Sequence, residues 1–332
     1  MSVLHPAGLV SLRRRLYMGL LLLGLIGLLG AVLSDAEGIL AGAPAPGALP
    51  AISMTPLTDG QAMDGFGSWS PDGRQVAFMR DGQIWLAEAG GKGARLVTSN
   101  SSVWDAAPAW KPNGKELAFS RTAMHGDAAW VVLLDPATGK ERELVKEAEP
   151  VGHVAWAPSG AGLYYTTVTR LKYVDAKSGK SRLVLQVAED WEMHAGGLTV
   201  SRDGKQLIYG AGPRVGRGAL YDLWLLPLTG KNPEPRRLTT GGGIMPCYDP
   251  SGKRIAYRNP RQETGIYVME LATHATKQLV ADEPRAMYFH PAYAPDGKSL
   301  LLSRLVAPAE GGDRTRLTSH LYVHTLEASG RD

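Results

Sequence analysis

The groups in this 332-residue chain that could do chemistry are few: eight histidines, one cysteine, and 36 Lys and Arg set against 32 Asp and Glu. A single cysteine excludes an intramolecular disulfide framework. His153 and His290 each stand three residues before an aromatic, Trp156 and Tyr293, and His194 is the third histidine in a comparable stretch. Asp64 and Asp105 form a second matched pair, each five residues before a tryptophan. Histidines and carboxylates in matched positions invite a metal reading, which needs three or four converging donors. The chain has no Gly-x-Ser-x-Gly elbow and no His-Glu-x-x-His, so no catalytic residue is assigned to serine-hydrolase or zincin chemistry. Gly179-Lys180-Ser181 resembles the end of a phosphate loop, but Val174 holds the position where the first glycine is required, and a hairpin turn is expected. Gly210-x-Gly212 is followed by Val215 where a dinucleotide fingerprint needs glycine.

A second constellation is basic. Arg214, Arg217, Arg258, Arg261, Arg304, Arg314 and Arg316 fall on three long segments, Gly210–Asp222, Arg258–Gly265 and Arg304–His320. Guanidinium groups suit a carboxylate, a phosphate or an acidic protein surface. Trp104, Trp191 and Tyr288 lie outside the regular aromatic positions and are expected as exposed contact residues. The net charge of residues 53–332 is only +3, which does not argue for nucleic acid.

The elements that must position these residues are legible from internal repetition. An aromatic followed by Pro-(Asp/Asn/Ser)-Gly recurs at Trp69–Gly73, Trp110–Gly114, Trp156–Gly160, Tyr248–Gly252 and Tyr293–Gly297, with a degenerate copy at Val200–Gly204. The turn glycines are 41, 46, 44, 48 and 45 residues apart, the period of a four-stranded propeller blade. Each copy continues into apolar runs such as Val76-Ala-Phe78 and Ile84-Trp-Leu86, whose branched and aromatic residues fit a pleated surface. Five fourth strands are visible for six blades. Thr55-Pro-Leu-Thr58 resembles Arg237-Leu-Thr239 and is expected to complete blade six, closing the ring and removing its free edge. The recurrent aromatics are expected to pack between blades, and Cys247 to be a small buried apolar residue.

These turns and the strands after them resemble the TolB-like six-bladed propellers over roughly residues 53–326. The resemblance implies the fold; the same repeat serves scaffolds, gating domains and lyases, so it implies no single activity.

In such a ring blades three and six are opposite, which sets His153 and His290 across the channel from each other. His153, His194, His290, Asp64 and Asp105 are therefore read as channel-mouth residues, the aspartates as loop-capping carboxylates, with no metal and no cofactor implied. The loops leading into the innermost strands and those between second and third strands share one face. That face carries the arginine segments as a basic rim on blades four, five and six, and loops on a rigid scaffold are where recognition concentrates.

The first 52 residues stand apart. Leu16–Leu33 carries no charge and as a helix would reach about 27 Å, close to the thickness of bilayer hydrocarbon. Arg13, Arg14 and Arg15 precede it and no Lys or Arg follows before Arg74, which places the N-terminus in the cytoplasm and the remainder outside. Cleavage near Ala41-Gly42-Ala43, giving a secreted protein, is the alternative. Residues 35–52 are dominated by Ala, Gly and Pro and form a tether. The expectation is an all-β, six-bladed propeller over 53–332, closed by an N-terminal strand. It follows a cytoplasmic segment (1–15), one transmembrane signal-anchor (16–34) and the tether, and is periplasmic or at the cell surface. Its expected role is a non-catalytic envelope scaffold with a protein partner or an acidic ligand at the loop face. The alternative is a propeller that binds or acts on a small molecule or polysaccharide at the channel mouth.

Overall fold

The computed structural model describes residues 54–326 except 127, 216–217, 231–232, 261–264, 284–285 and 307–317. The expected membrane segment and tether lie outside the described residues. Among those described, no helix is long and apolar enough to cross a membrane.

Each repeat folds into one antiparallel sheet. The innermost strands are Asp64–Trp69, Val103–Trp110, Val154–Trp156, Trp191–Val200, Ile244–Tyr248 and Ala286–Tyr293, each pairing with the strand beyond its Pro-Asp-Gly-type turn. Blade six is completed by the N-terminal strand Met54–Pro56, antiparallel to Thr318–Thr325 with Thr55 opposite Val323. The ring closes as expected. Thr58 Oγ1 accepts from the Leu321 amide at 2.9 Å, as Thr98 does from Ile84 and Thr239 from Leu223 in ordinary blades, so the seam reproduces the regular outer-strand contact.

The second strands are nearly continuous apolar runs because both of their faces are covered. Leu300 and Leu302 pack against blade five while Leu301, between them, packs against blade one. The same alternation repeats around the ring, giving among the described residues six apolar clusters between neighbouring blades and a seventh at the channel mouth. The recurrent aromatics stitch blades together, as expected. Trp69 Nε1 donates to the Ala292 carbonyl of blade six at 3.2 Å, and Trp156 Nε1 to Ala109 of blade two at 3.1 Å. The turns also meet: Gly73, Gly114, Gly160, Gly204 and Gly297 each abut a turn proline of the preceding blade. Gly252 meets nothing, because the degenerate fourth turn has Arg202 in place of proline.

Two of the long segments are less irregular than expected. The second strand of blade four runs on to Val215 and folds back through Gly218–Ala219, so most of Gly210–Asp222 is a hairpin extension. In blade six Arg304 lies within a strand reaching Val306, opposite His320. Gly179-Lys180-Ser181 is a hairpin turn, with Gly179 at φ 70° and its amide donating to Asp175.

Candidate functional site at the channel mouth

The innermost strands are not regular. Their pairing slips between Gly65 and Ser68, Ala106 and Ala109, Met193 and Leu198, Ile244 and Cys247, and Phe289 and Ala292. Such bulges bend a strand and re-aim its side chains. At the bulges Phe66, Ala107, Met245 and His290 adopt left-handed backbone, with φ of 54°, 51°, 56° and 47°. That conformation costs a non-glycine residue about 1–3 kcal/mol. All four occupy one repeat position, three residues before the recurrent aromatic or tyrosine, and His153 and Gly197 hold it in blades three and four. The sequence reading noticed this position only where it held histidine; aligning it across all six repeats would have revealed the ring.

A second ring lies behind the first, on the second strands: Met79, Ser120, Thr166, Gly210, Arg258 and Ser303 occupy the fourth position of each apolar run. Between the rings, open towards the loops that lead into the innermost strands, is a cavity of about 130 Å³ with a mainly apolar wall. Phe66, Met79, Trp104, Phe289 and Leu305 supply apolar surface, His290 and Ser303 polar atoms, and Gly152 and Ala195 the side belonging to blades three and four. One cavity thus touches opposite blades.

The three histidines are held neutral. Burial pushes His153 down to about 4 and, with the charges of Arg258 and His153, pushes His194 down to about 3. Burial, with the same neighbours, holds His290 well below the ordinary imidazole range. His194 Nδ1 accepts from the Gly196 amide at 3.0 Å, and its ring sits edge-on to Tyr221, whose hydroxyl donates to Glu192. His290 lies against Phe66 with ring centroids 3.8 Å apart. His153 Nδ1 and both ring nitrogens of His290 are closed to solvent and have no hydrogen-bond partner among the described residues. Buried polar atoms are nearly always satisfied, so unpaired ones around a cavity point to what fills it. Among the described residues no group of three His, Cys, Asp or Glu is placed to hold a metal ion.

Asp64 and Asp105 do not cap loops. Arg80 binds Asp64 through Nε and Nη2 at 2.7 and 2.8 Å. Arg121 grips Asp105 at 2.7 and 2.9 Å and also reaches Glu141. Burial pushes the Asp105 carboxyl above its usual range against the pull of Arg121. These forks pin each innermost strand to its neighbour.

The basic rim also changes. Arg304 is gripped by Glu283, which it holds below the usual carboxylate range. Arg214 pairs with Glu192 at 3.3 Å. Arg258 is not on the rim at all: it is 6% exposed, inside the wall. Arg217, Arg261, Arg314 and Arg316 lie outside the described residues. The expected exposed aromatics are covered instead. Trp104 is buried against the cavity, with Gly82 pressed on its ring so closely that a Cβ there would sit 2.5 Å from it. Tyr288 is buried and donates to Glu283. Trp191 is half-buried, edge-on to Trp224 at 5.6 Å. Each lies within an innermost strand rather than on a free loop: Trp104 faces the cavity, while Tyr288 and Trp191 pack between blades. Cys247 is half-buried, its thiol pushed up to about 11 by burial.

No family model matches the chain, and no curated protein matches it in sequence. Solved structures do match its fold. A putative TolB from Agrobacterium tumefaciens is 16% identical with a TM-score of 0.59, covering 82% of this chain and 93% of that one. TolB from Acinetobacter baumannii is 17% identical with a TM-score of 0.53 over 79% of this chain, which spans 63% of that protein. An oligogalacturonate lyase in complex with manganese is 16% identical with a TM-score of 0.56, covering 82% and 80%. The six-bladed propeller expected from the repeats is therefore shared with TolB proteins and with an enzyme.

Proposed function

We propose that this protein is a binding module outside the cytoplasm, tethered to a membrane by Leu16–Leu33, and that its recognition element is the channel-mouth cavity, which takes a small ligand. The observation that carries this is the first ring: three left-handed non-glycine residues, Phe66, Ala107 and His290, line one cavity, and backbone strain of that kind concentrates at functional sites. A mainly apolar concavity with a few polar atoms is also the usual form of a small-molecule site. The structural likeness to an oligogalacturonate lyase is compatible with a small ligand, and the likeness to TolB proteins with an envelope role. Docking of an acidic envelope protein on the same face is the second reading.

The test is a plug. Ala195 is exposed and lies on the cavity wall, so Ala195→Trp should fill the mouth without disturbing the core. The full chain in detergent is screened by thermal shift against small polar and apolar molecules. Compounds that raise the Tm of the unsubstituted protein should lose that effect in Ala195→Trp. Compounds acting equally on both would place recognition elsewhere.

A further inference from the structure

Of the twelve positions in the two rings, one carries a permanent charge. Arg258 ends the second strand of blade five, in phase with Ala256, which faces blade six. Arg80, Arg121 and Arg304 have the opposite phase, one residue later in their runs, and each is gripped by a carboxylate. Among the described residues Arg258 has no such partner. Its Nε is buried without a hydrogen bond, its Nη2 reaches only the Met287 sulfur at 3.7 Å, and its guanidinium lies 5.1 Å over the Phe289 ring. Met79, Ser120 and Ser303, which hold the same position in blades one, two and six, line the cavity, as does Phe289; Arg258 and His153 are not on its wall, and Arg258 meets it through the Phe289 ring on which it stacks. Burial without a counter-charge pushes even this guanidinium down to about 10. An unpaired buried charge is strongly destabilising, and proteins seldom retain one that nothing neutralises.

We propose that the channel mouth is an anion site for a small monocarboxylate with an apolar body, its carboxylate hydrogen-bonded by His290 on the cavity wall and balancing the charge of Arg258 stacked on the far side of Phe289. The inference rests on the cavity being the recognition element and adds the class of ligand. Neutral imidazoles each offer one N–H donor but no charge. The site therefore supplies a single positive charge, which matches a carboxylate, whereas doubly charged phosphate would leave a negative charge buried. The apolar wall excludes a ligand that is polar throughout.

The experiment is calorimetric titration of the full chain in detergent at pH 7. The probes are phenylacetate, benzoate and hexanoate, with phenylacetamide as the neutral isostere of the first and inorganic phosphate as the dianion. At least one acid should bind, and phenylacetate at least tenfold tighter than phenylacetamide or phosphate. Arg258→Met should weaken phenylacetate at least tenfold, leave phenylacetamide within twofold, and raise the Tm, because a buried unpaired charge is gone. Arg214→Met, on the outer hairpin, should change none of these. Equal binding of phenylacetate by Arg258→Met, a fall in its Tm with affinity intact, or phosphate binding tighter than every acid overturns the proposal. Should Arg258→Met fail to fold, the ratio of phenylacetate to phenylacetamide affinity in the unsubstituted protein decides, and a ratio near one overturns it. If the amide binds as well as the acid and Ala195→Trp abolishes both, the cavity reading stands and only the anion site falls. If no probe of either kind binds and no screened compound is sensitive to Ala195→Trp, both fall.

Discussion

Arg121 and Arg258 stand one position apart in the runs of equivalent strands three blades apart, yet one is gripped by two carboxylates and the other by none among the described residues. The difference is one residue of pleat. Side chains one position apart on a strand leave from opposite faces. Arg121 points back to the face where Asp105 and Glu141 wait, and Arg258 points forward to Phe289 and the channel-mouth cluster. Arginines of the first phase tie together the strands of one blade; the arginine of the second phase stacks on a residue of the cavity wall. A buried charge is structural when its partner belongs to the chain and points to a ligand when it does not.

The sharpest way to break that comparison is to make the same substitution at both positions. Arg121→Met leaves Asp105 buried and unpaired, so stability should fall by about 3–5 kcal/mol in denaturant unfolding. It should move opposite in sign to Arg258→Met. If both variants are destabilised alike, the distinction between the two phases is lost.

Acid should reach the channel mouth before it reaches the ion-paired shell. His153 and His194 have folded-state values of about 4 and about 3, below the ordinary imidazole value near 6.5. As pH falls through 6.5 the unfolded chain takes up protons that the folded protein refuses, so stability is complete above that pH and is lost below it. The loss continues until the pH reaches the folded values. Each such histidine contributes a slope of at most about 1.4 kcal/mol per pH unit. Between pH 7 and pH 5 urea midpoints should therefore drop, by about 2 kcal/mol in stability for each of these histidines. His194→Asn, which keeps an acceptor for the Gly196 amide, should flatten the curve; an unchanged slope would remove His194 from the account.

The smallest effect compares the closing seam with an ordinary blade. Thr58→Val and Thr98→Val each take the partner from a buried amide, and each should cost roughly 1 kcal/mol. A much larger loss at Thr58 would mean that the seam is the weak point of the ring.

The fold was legible because repetition states it six times. Turn glycines, prolines and aromatics recur at one spacing, and even the missing proline at Arg202 has its structural counterpart in the open space beside Gly252. Ring closure was legible too, since Thr58 is the expected outer-strand threonine. The site was legible only in fragments. His153, His194 and His290 were placed at the channel mouth, but Phe66, Ala107 and Met245 carry no polar atom to attract notice. Arg258 was grouped with Arg214 and Arg304 because all three border long segments. Composition does not reveal which side of a pleat a residue takes at the end of a strand.

The sequence by itself determined the number of blades, their order, the turn chemistry and the segment that closes the ring, because these depend on local periodicity and on residues that suit particular backbone conformations. Tertiary structure alone decided which charges are neutralised. Pairing of Arg80 with Asp64, burial of Trp104 and the isolation of Arg258 depend on bulges that slip the register of the innermost strands, and on which neighbouring blade each face then meets. Those contacts are set by the register of each sheet and by the blade beside it, which no local pattern carries.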